Sequence, residues 1–137
     1  MKIMQNLQMT NTDFDHTPAS EKLSLISYNC QYADNVRLPF IELLFSQCDF
    51  LFIQEHGRFK STLSWFHTLG KDVGVHGVSA MDEGQILRGR PHGGAAIVWH
   101  GLLRHRVTPV PWDSTRICAV TIDIATEKLL LVCVYMP

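Results

Sequence analysis

The sequence predicts an α/β (α+β) domain in which a mixed β-sheet opens with a β-α-β unit and continues in antiparallel strands. Three observations carry this. Two β-prone apolar runs, residues 23–29 and 49–53, stand about twenty residues apart, and apolar positions recur between them at three- and four-residue intervals. That is room for a helical crossover, which leaves the two strands parallel. "FLFI", residues 50–53, places four apolar residues in a row, as in a strand buried on both faces. Finally, "ICAVTIDI" and "LLLVCVY", residues 117–124 and 129–135, are separated by Ala125-Thr126-Glu127-Lys128, a hairpin-length connection.

The elements follow in order. Residues 1–20 are polar and lack the continuous apolar stretch of a secretory signal, so they read as a flexible leader to a domain over 21–137. Asp34 or Asn35 can cap a helix beginning near Val36, with Pro39 in the first turn, where a missing N–H costs little. Leu38, Ile41, Leu44 and Phe45 supply its apolar stripe. Residues 61–69 suit a short helix with Leu63, Phe66 and Trp65 facing inward. Residues 75–80 suit a strand, 81–91 form a loop rich in glycine and charge, and "AAIVW", 95–99, is a further strand. There are no repeats and no low-complexity segment.

Composition limits the function classes. With 137 residues, 46% hydrophobic and 18% charged, the chain has material for one core. A net charge of -1 gives no global case for a nucleic-acid partner, so any such case must be local. No apolar run approaches the roughly 20 residues that span a bilayer, and no membrane partner is expected. The four cysteines show neither C-x-x-C spacing nor paired histidines at zinc-ligand intervals. They read as core thiols in a reducing, intracellular compartment; a Cys118–Cys133 cross-strand disulfide is the alternative a hairpin would permit.

Two residues invite chemistry by position. Asn29 and Glu55 close the two strands that the crossover makes parallel, so both fall on the sheet edge where open α/β sheets bind ligands. An amide and a carboxylate there suit a hard cation such as Mg²⁺, which takes one or two protein carboxylates and completes its shell with water and phosphate. The plain alternative is that Asn29 ends a strand and Glu55 is solvated in the next loop. Between residues 88 and 106 stand Arg88, Arg90, Arg104 and Arg106, with three histidines and no acidic residue. Such an excess suits a DNA backbone, or equally a solvated loop. Arg116 is a candidate for reaching a phosphate, with a surface salt bridge as the alternative. Gly93-Gly94 reads as a place of close strand packing, since no helix follows it as in a phosphate-cradling loop.

Taken together, "ISYNC", a helix, "CDFLFIQEH", "GRPHGGAAIVW", an arginine before "ICAVTID", and "LLLVCVYMP" occur in the order seen in the exonuclease–endonuclease–phosphatase (DNase I-like) superfamily. More narrowly, residues 23–137 resemble the endonuclease domain that opens non-LTR (LINE-like) retrotransposon polyproteins. The resemblance implies part of a four-layer α/β sandwich. It matches Asn29 to the asparagine that organises the catalytic site, Glu55 to the ligand of a Mg²⁺ (or Mn²⁺) ion, and Tyr135 to the tyrosine that contacts the scissile phosphate. Water then attacks the phosphodiester in line while the metal neutralises charge on the phosphate. His56 reads as a residue behind the site or a plain loop residue. Gly57-Arg58 departs from the pattern, because relatives often carry tryptophan there.

The family's downstream Asp-x-Asn and Ser-Asp-His do not occur before Pro137. The expectation is therefore an amino-terminal half of a DNA-nicking endonuclease, inactive alone, poorly soluble without its carboxyl-terminal half, and nuclear in the complete element. Two alternatives stand beside it. One is a non-catalytic product that at most binds nucleic acid weakly; the other is a superfamily phosphoesterase acting on small phosphates.

Overall fold

The structure, a computed structural model, describes residues 2–9 and 21–137. Of the span read as a leader, Lys2–Met9 form strand β1, antiparallel to β2, and the remaining residues lie outside the described ones. Strand β2 (Glu21–Asn29) is followed by helix α1 (Leu38–Phe45) and strand β3 (Phe50–Gln54), with β2 and β3 parallel. A 3-10 helix over Lys60–Leu69 leads to β4 (Val73–Val78), and β5 (Ala95–His100) comes back between β3 and β4, antiparallel to both. The large sheet thus runs β1-β2-β3-β5-β4. After a second 3-10 helix (Gly101–Arg106), strands β6 (Val107–Val110), β7 (Ile117–Ile124) and β8 (Glu127–Val134) form a separate antiparallel sheet.

Three layers result, and alternation along β3 shows how they are held. Phe50 and Phe52 pack with Leu25, Ile97, Val120, Ile122 and Cys133 between the two sheets. Leu51 and Ile53 pack with Ile26, Ile41, Leu44, Phe66 and Val98 beneath the helices. This double burial explains the unbroken apolar run, since each such side chain contributes about 1.5–3 kcal/mol when taken from water. Where the two parallel strands begin, Asp49 ties them: its carboxylate accepts from the Ser24 N–H at 2.8 Å and the Ser24 hydroxyl at 3.0 Å.

Several details differ from the sequence reading. Helix α1 starts two residues later than Val36. Asp34 Oδ1 does accept from the Arg37 N–H at 2.9 Å, but it closes a turn ahead of the helix, and Asn35 accepts from Trp65 Nε1 instead. Residues 60–69 wind as a 3-10 helix, burying Leu63 and Phe66 and leaving Trp65 at the margin. Strand β4 sits two residues earlier than expected because Gly74 pairs with Trp99, whose indole occupies the space a Cβ would need. Strand β6 gave no sequence signal: Pro109 interrupts it, which is tolerated because β6 lies at a sheet edge. All four cysteines are free and buried.

Candidate functional site

The parallel register brings Asn29 opposite Gln54, so Glu55 emerges one residue beyond the same sheet edge. Its backbone is unusual. Glu55 has φ 54°, a left-handed conformation that a non-glycine residue adopts only when its surroundings impose it. Here the Glu55 N–H donates to Gly94 O and the Gly57 N–H to Gly93 O, both at 2.9 Å. Gly93 and Gly94 themselves have positive φ, and a Cβ on Gly94 would run into the His56 imidazole. The glycine pair thus holds the Glu55–His56–Gly57 turn by close approach, as expected for strand packing rather than phosphate cradling.

His56 is wholly buried beneath this turn. Its Nδ1 accepts from the Arg58 N–H at 2.9 Å, which leaves Nε2 to donate to Val78 O at 2.9 Å. Burial pushes its pKa down to about 4. With both ring nitrogens engaged, His56 is a neutral strut behind the site. The Gly57-Arg58 departure is accommodated on the same side: the Arg58 guanidinium stacks over the Trp65 ring at 4.3 Å, and its Nε donates to Ala33 O at 2.9 Å.

Tyr135 arrives from the other sheet. Its N–H donates to Arg116 O at 2.8 Å, placing the residue just past the end of β8. The phenol interacts with the Glu55 side chain, and hydrogen bonding to that carboxylate raises its pKa, while the Arg116 charge opposes the rise. Glu55 and Tyr135, eighty positions apart in the chain, therefore meet at one cleft.

That cleft has a volume of about 470 Å³ and is lined by Gln31, Tyr32, Arg37, Glu55, Arg90, Pro91, His92, Gly93 and Tyr135. Asn29 is not on its wall. Its side-chain oxygen accepts from the Gln31 N–H at 3.2 Å, so it shapes the loop that forms one side. Against the single carboxylate on the wall stand Arg90 and Arg37, the latter also paired through Nη1 with Asp34 Oδ2 at 2.9 Å, and these guanidinium groups make the surroundings suitable for a phosphate group. Among the described residues no three His, Cys, Asp or Glu side chains gather as a metal centre. A hard cation that keeps most of its water would need only Glu55 and one further oxygen, so the donor set fits Mg²⁺ and not a dehydrated, soft metal.

The four arginines read as one local strip, Arg88, Arg90, Arg104 and Arg106, are divided by the fold, and Arg116, a separate candidate, falls on the cleft side. Arg90 lines the cleft, Arg88 lines an adjoining hollow of about 550 Å³, and Arg116 adjoins Tyr135. Arg104 and Arg106 follow the opposite end of β5, where His100 pairs with Val73. Arg104 pairs with Asp72 at 3.5 Å, and Arg106 Nε donates to Asp123 O at 2.8 Å. Antiparallel β5 reverses the chain, so arginines on either side of it cannot share an edge. The sequence reading did not single out Gln31, Tyr32, Arg37 or His92; the usable signal was that loops after strand carboxyl ends line such clefts.

No family model matches the sequence, and no curated protein matches it. Among solved structures, the chain is similar to the endonuclease domain of TRAS1, a telomere-specific non-LTR retrotransposon. The TM-score is 0.50 at 18% identity, covering 82% of this chain and 45% of that one. It is also similar to the 3' phosphatase NExo from Neisseria, solved with a product DNA hairpin. There the TM-score is 0.48 at 16% identity over 79% of this chain and 40% of the other, too loose a likeness to argue from. The DNase I-like fold expected from the sequence is thus the fold found. The chain spans less than half the length of either neighbour.

Proposed function

We propose that this chain supplies the metal-binding side of a Mg²⁺-dependent phosphodiesterase that nicks DNA, of the non-LTR retrotransposon type. The meeting of Glu55 and Tyr135 in a cleft flanked by Arg37 and Arg90 carries the reading. Glu55 would hold the cation, which supplies charge neutralisation at the phosphate when bound. Tyr135 has one O–H to donate: it goes to the Glu55 carboxylate here, and would pass to a phosphate oxygen once Glu55 holds the cation. Asn29 fixes the loop bearing Gln31. Arg37, Arg90 and Arg116 attract the anionic backbone.

On the described residues the cleft wall carries one carboxylate, which cannot at once hold the metal and take the proton of an attacking water. The chain by itself is therefore expected to bind without cleaving, and to need a further segment as its partner. The test is Mn²⁺ binding followed by electron paramagnetic resonance, with supercoiled-plasmid nicking measured alongside. One ion bound by the wild type and lost in Glu55→Gln, without nicking by either, supports the proposal. Binding indifferent to Glu55 would overturn the metal assignment, and nicking by the isolated chain that Glu55→Ala abolishes would overturn its inactivity. Release of phosphate from inositol phosphates with no retention of DNA would favour the small-phosphate alternative.

A further inference from the structure

Resting on the phosphodiester reading of the cleft, we infer that Tyr32 is the residue that selects an unpaired nucleotide, by stacking its ring on the exposed face of a nucleobase beside Glu55. Tyr32 has φ 128° and the preceding Gln31 has φ 55°. The former lies in a region that residues other than glycine scarcely enter, and such outliers persist only where the surroundings over-determine them.

The surroundings do so here. The Gln31 N–H is pinned to Asn29 Oδ1 at 3.2 Å, and the Ala33 N–H to His56 O at 2.9 Å. Tyr32 is held between two fixed points, one at the end of β2 and one at the turn after β3. Its ring lies against Gly57, where even a Cβ would meet Tyr32 Cδ2. Gly57 is itself at φ 61°, so glycine suits the position on two counts, and the missing Cβ leaves the room that the ring fills. The result is a partly exposed aromatic ring in the wall of the cleft that contains Glu55, Arg37, Arg90 and Tyr135. A glycine at position 32 would satisfy the backbone without strain. What the tyrosine adds is the ring.

A concave cleft of this size admits a nucleotide. In a paired duplex the neighbouring base pairs cover both faces of each base, and a ring at a cleft wall meets only sugar and phosphate. In a single strand or at an unpaired position the base face is open, and stacking on an aromatic ring works for any base. Arg37 and Arg90 then serve the flanking phosphates, which paired and unpaired strands share. Tyr32 therefore discriminates by strandedness, and the arginines supply affinity common to both.

The experiment measures fluorescence anisotropy of the full 137-residue chain with a labelled short oligodeoxynucleotide, either single-stranded or as the blunt duplex. EDTA is present, so the outcome does not depend on the metal. Tyr32→Phe should bind both probes like the wild type. Tyr32→Ala and Tyr32→Gly should weaken single-strand binding roughly ten-fold and leave duplex binding within about two-fold. Tyr32→Gly should also melt no lower than the wild type, because relief of the backbone offsets the lost contact with Gly57. An equal loss on both probes, no loss on either, or a substantially lower melting temperature for Tyr32→Gly would assign Tyr32 a structural part and overturn the inference. Wild-type chain that retains neither probe in EDTA nor with Mg²⁺ restored would overturn it together with the phosphodiester reading; retention of both probes with no effect of Tyr32 would overturn it alone.

Discussion

Glu55 and Tyr135, far apart in the chain, share one cleft and are coupled through their side chains. The phenol's pKa stands above its ordinary value because the carboxylate accepts its hydrogen bond and disfavours a second negative charge. Glu55→Gln removes that charge, so the Tyr135 phenol should titrate at lower pH than in the wild type, read by ultraviolet difference absorbance against Tyr135→Phe. Gly94 is the corresponding backbone dependence. It has φ 91° and lies against the His56 ring. Gly94→Ala therefore combines left-handed strain with overpacking and should cost about 2–4 kcal/mol of unfolding free energy in urea titrations. A loss below about 1 kcal/mol would mean the turn can move without disturbing its support.

At the scale of elements, β8 separates inside from outside residue by residue. Leu131 and Cys133 point into the core between the sheets, while Leu130, Val132 and Val134 remain substantially exposed. Leu131→Ala should cost about 2–4 kcal/mol through lost burial and the cavity left behind. Leu130→Lys, one position away, should leave unfolding within about 0.5 kcal/mol and raise solubility, because it breaks an apolar row on a sheet-edge strand. Parallel denaturant and light-scattering measurements on the two variants check the register. A reversed order, with Leu130→Lys costly and Leu131→Ala near neutral, would mean that β8 is slipped by one residue.

The whole molecule should be sensitive to acid through its buried histidines. His56 is held near pKa 4, below the ordinary value of 6.5, because burial disfavours the imidazolium. Between those values the unfolded chain binds a proton that the folded chain does not. Stability is then full above about pH 6.5 and falls by about 1.4 kcal/mol per unit toward pH 4, on the order of 3 kcal/mol in all. Half-buried His76 is shifted downward as well, by burial, and adds to the loss with the same sign. Urea denaturation at a series of pH values should show this fall in the wild type and a shallower one in His56→Gln. An unchanged slope in that variant would place the acid sensitivity elsewhere.

Much of the fold was legible because it follows from local pattern. The β-α-β opening came from periodicity and length, the doubly buried β3 from four apolar residues in a row, and the β7–β8 hairpin from a short connection between two apolar runs. Asn29 and Glu55 could be placed on one edge from parallel pairing alone, and motif order led to Tyr135. Other features had no local signature. Gln31 and Tyr32 are not residue types that favour left-handed conformations; their geometry comes from hydrogen bonds to Asn29 and His56, the latter twenty-three positions from Ala33. The arginine strip came apart because antiparallel β5 carries its two ends to opposite edges of the sheet. Arg37 entered the cleft only when the loop before α1 folded over it. The sequence by itself determined the strands that carry an apolar pattern of their own, β2, β3, β5, β7 and β8, and the side chains in them that avoid water, since these depend on neighbours a few positions away; β1 and β6 took their place only through pairing. Only the tertiary structure decided which polar groups face one another, because those contacts join distant parts of the chain and exist only after the layers have packed.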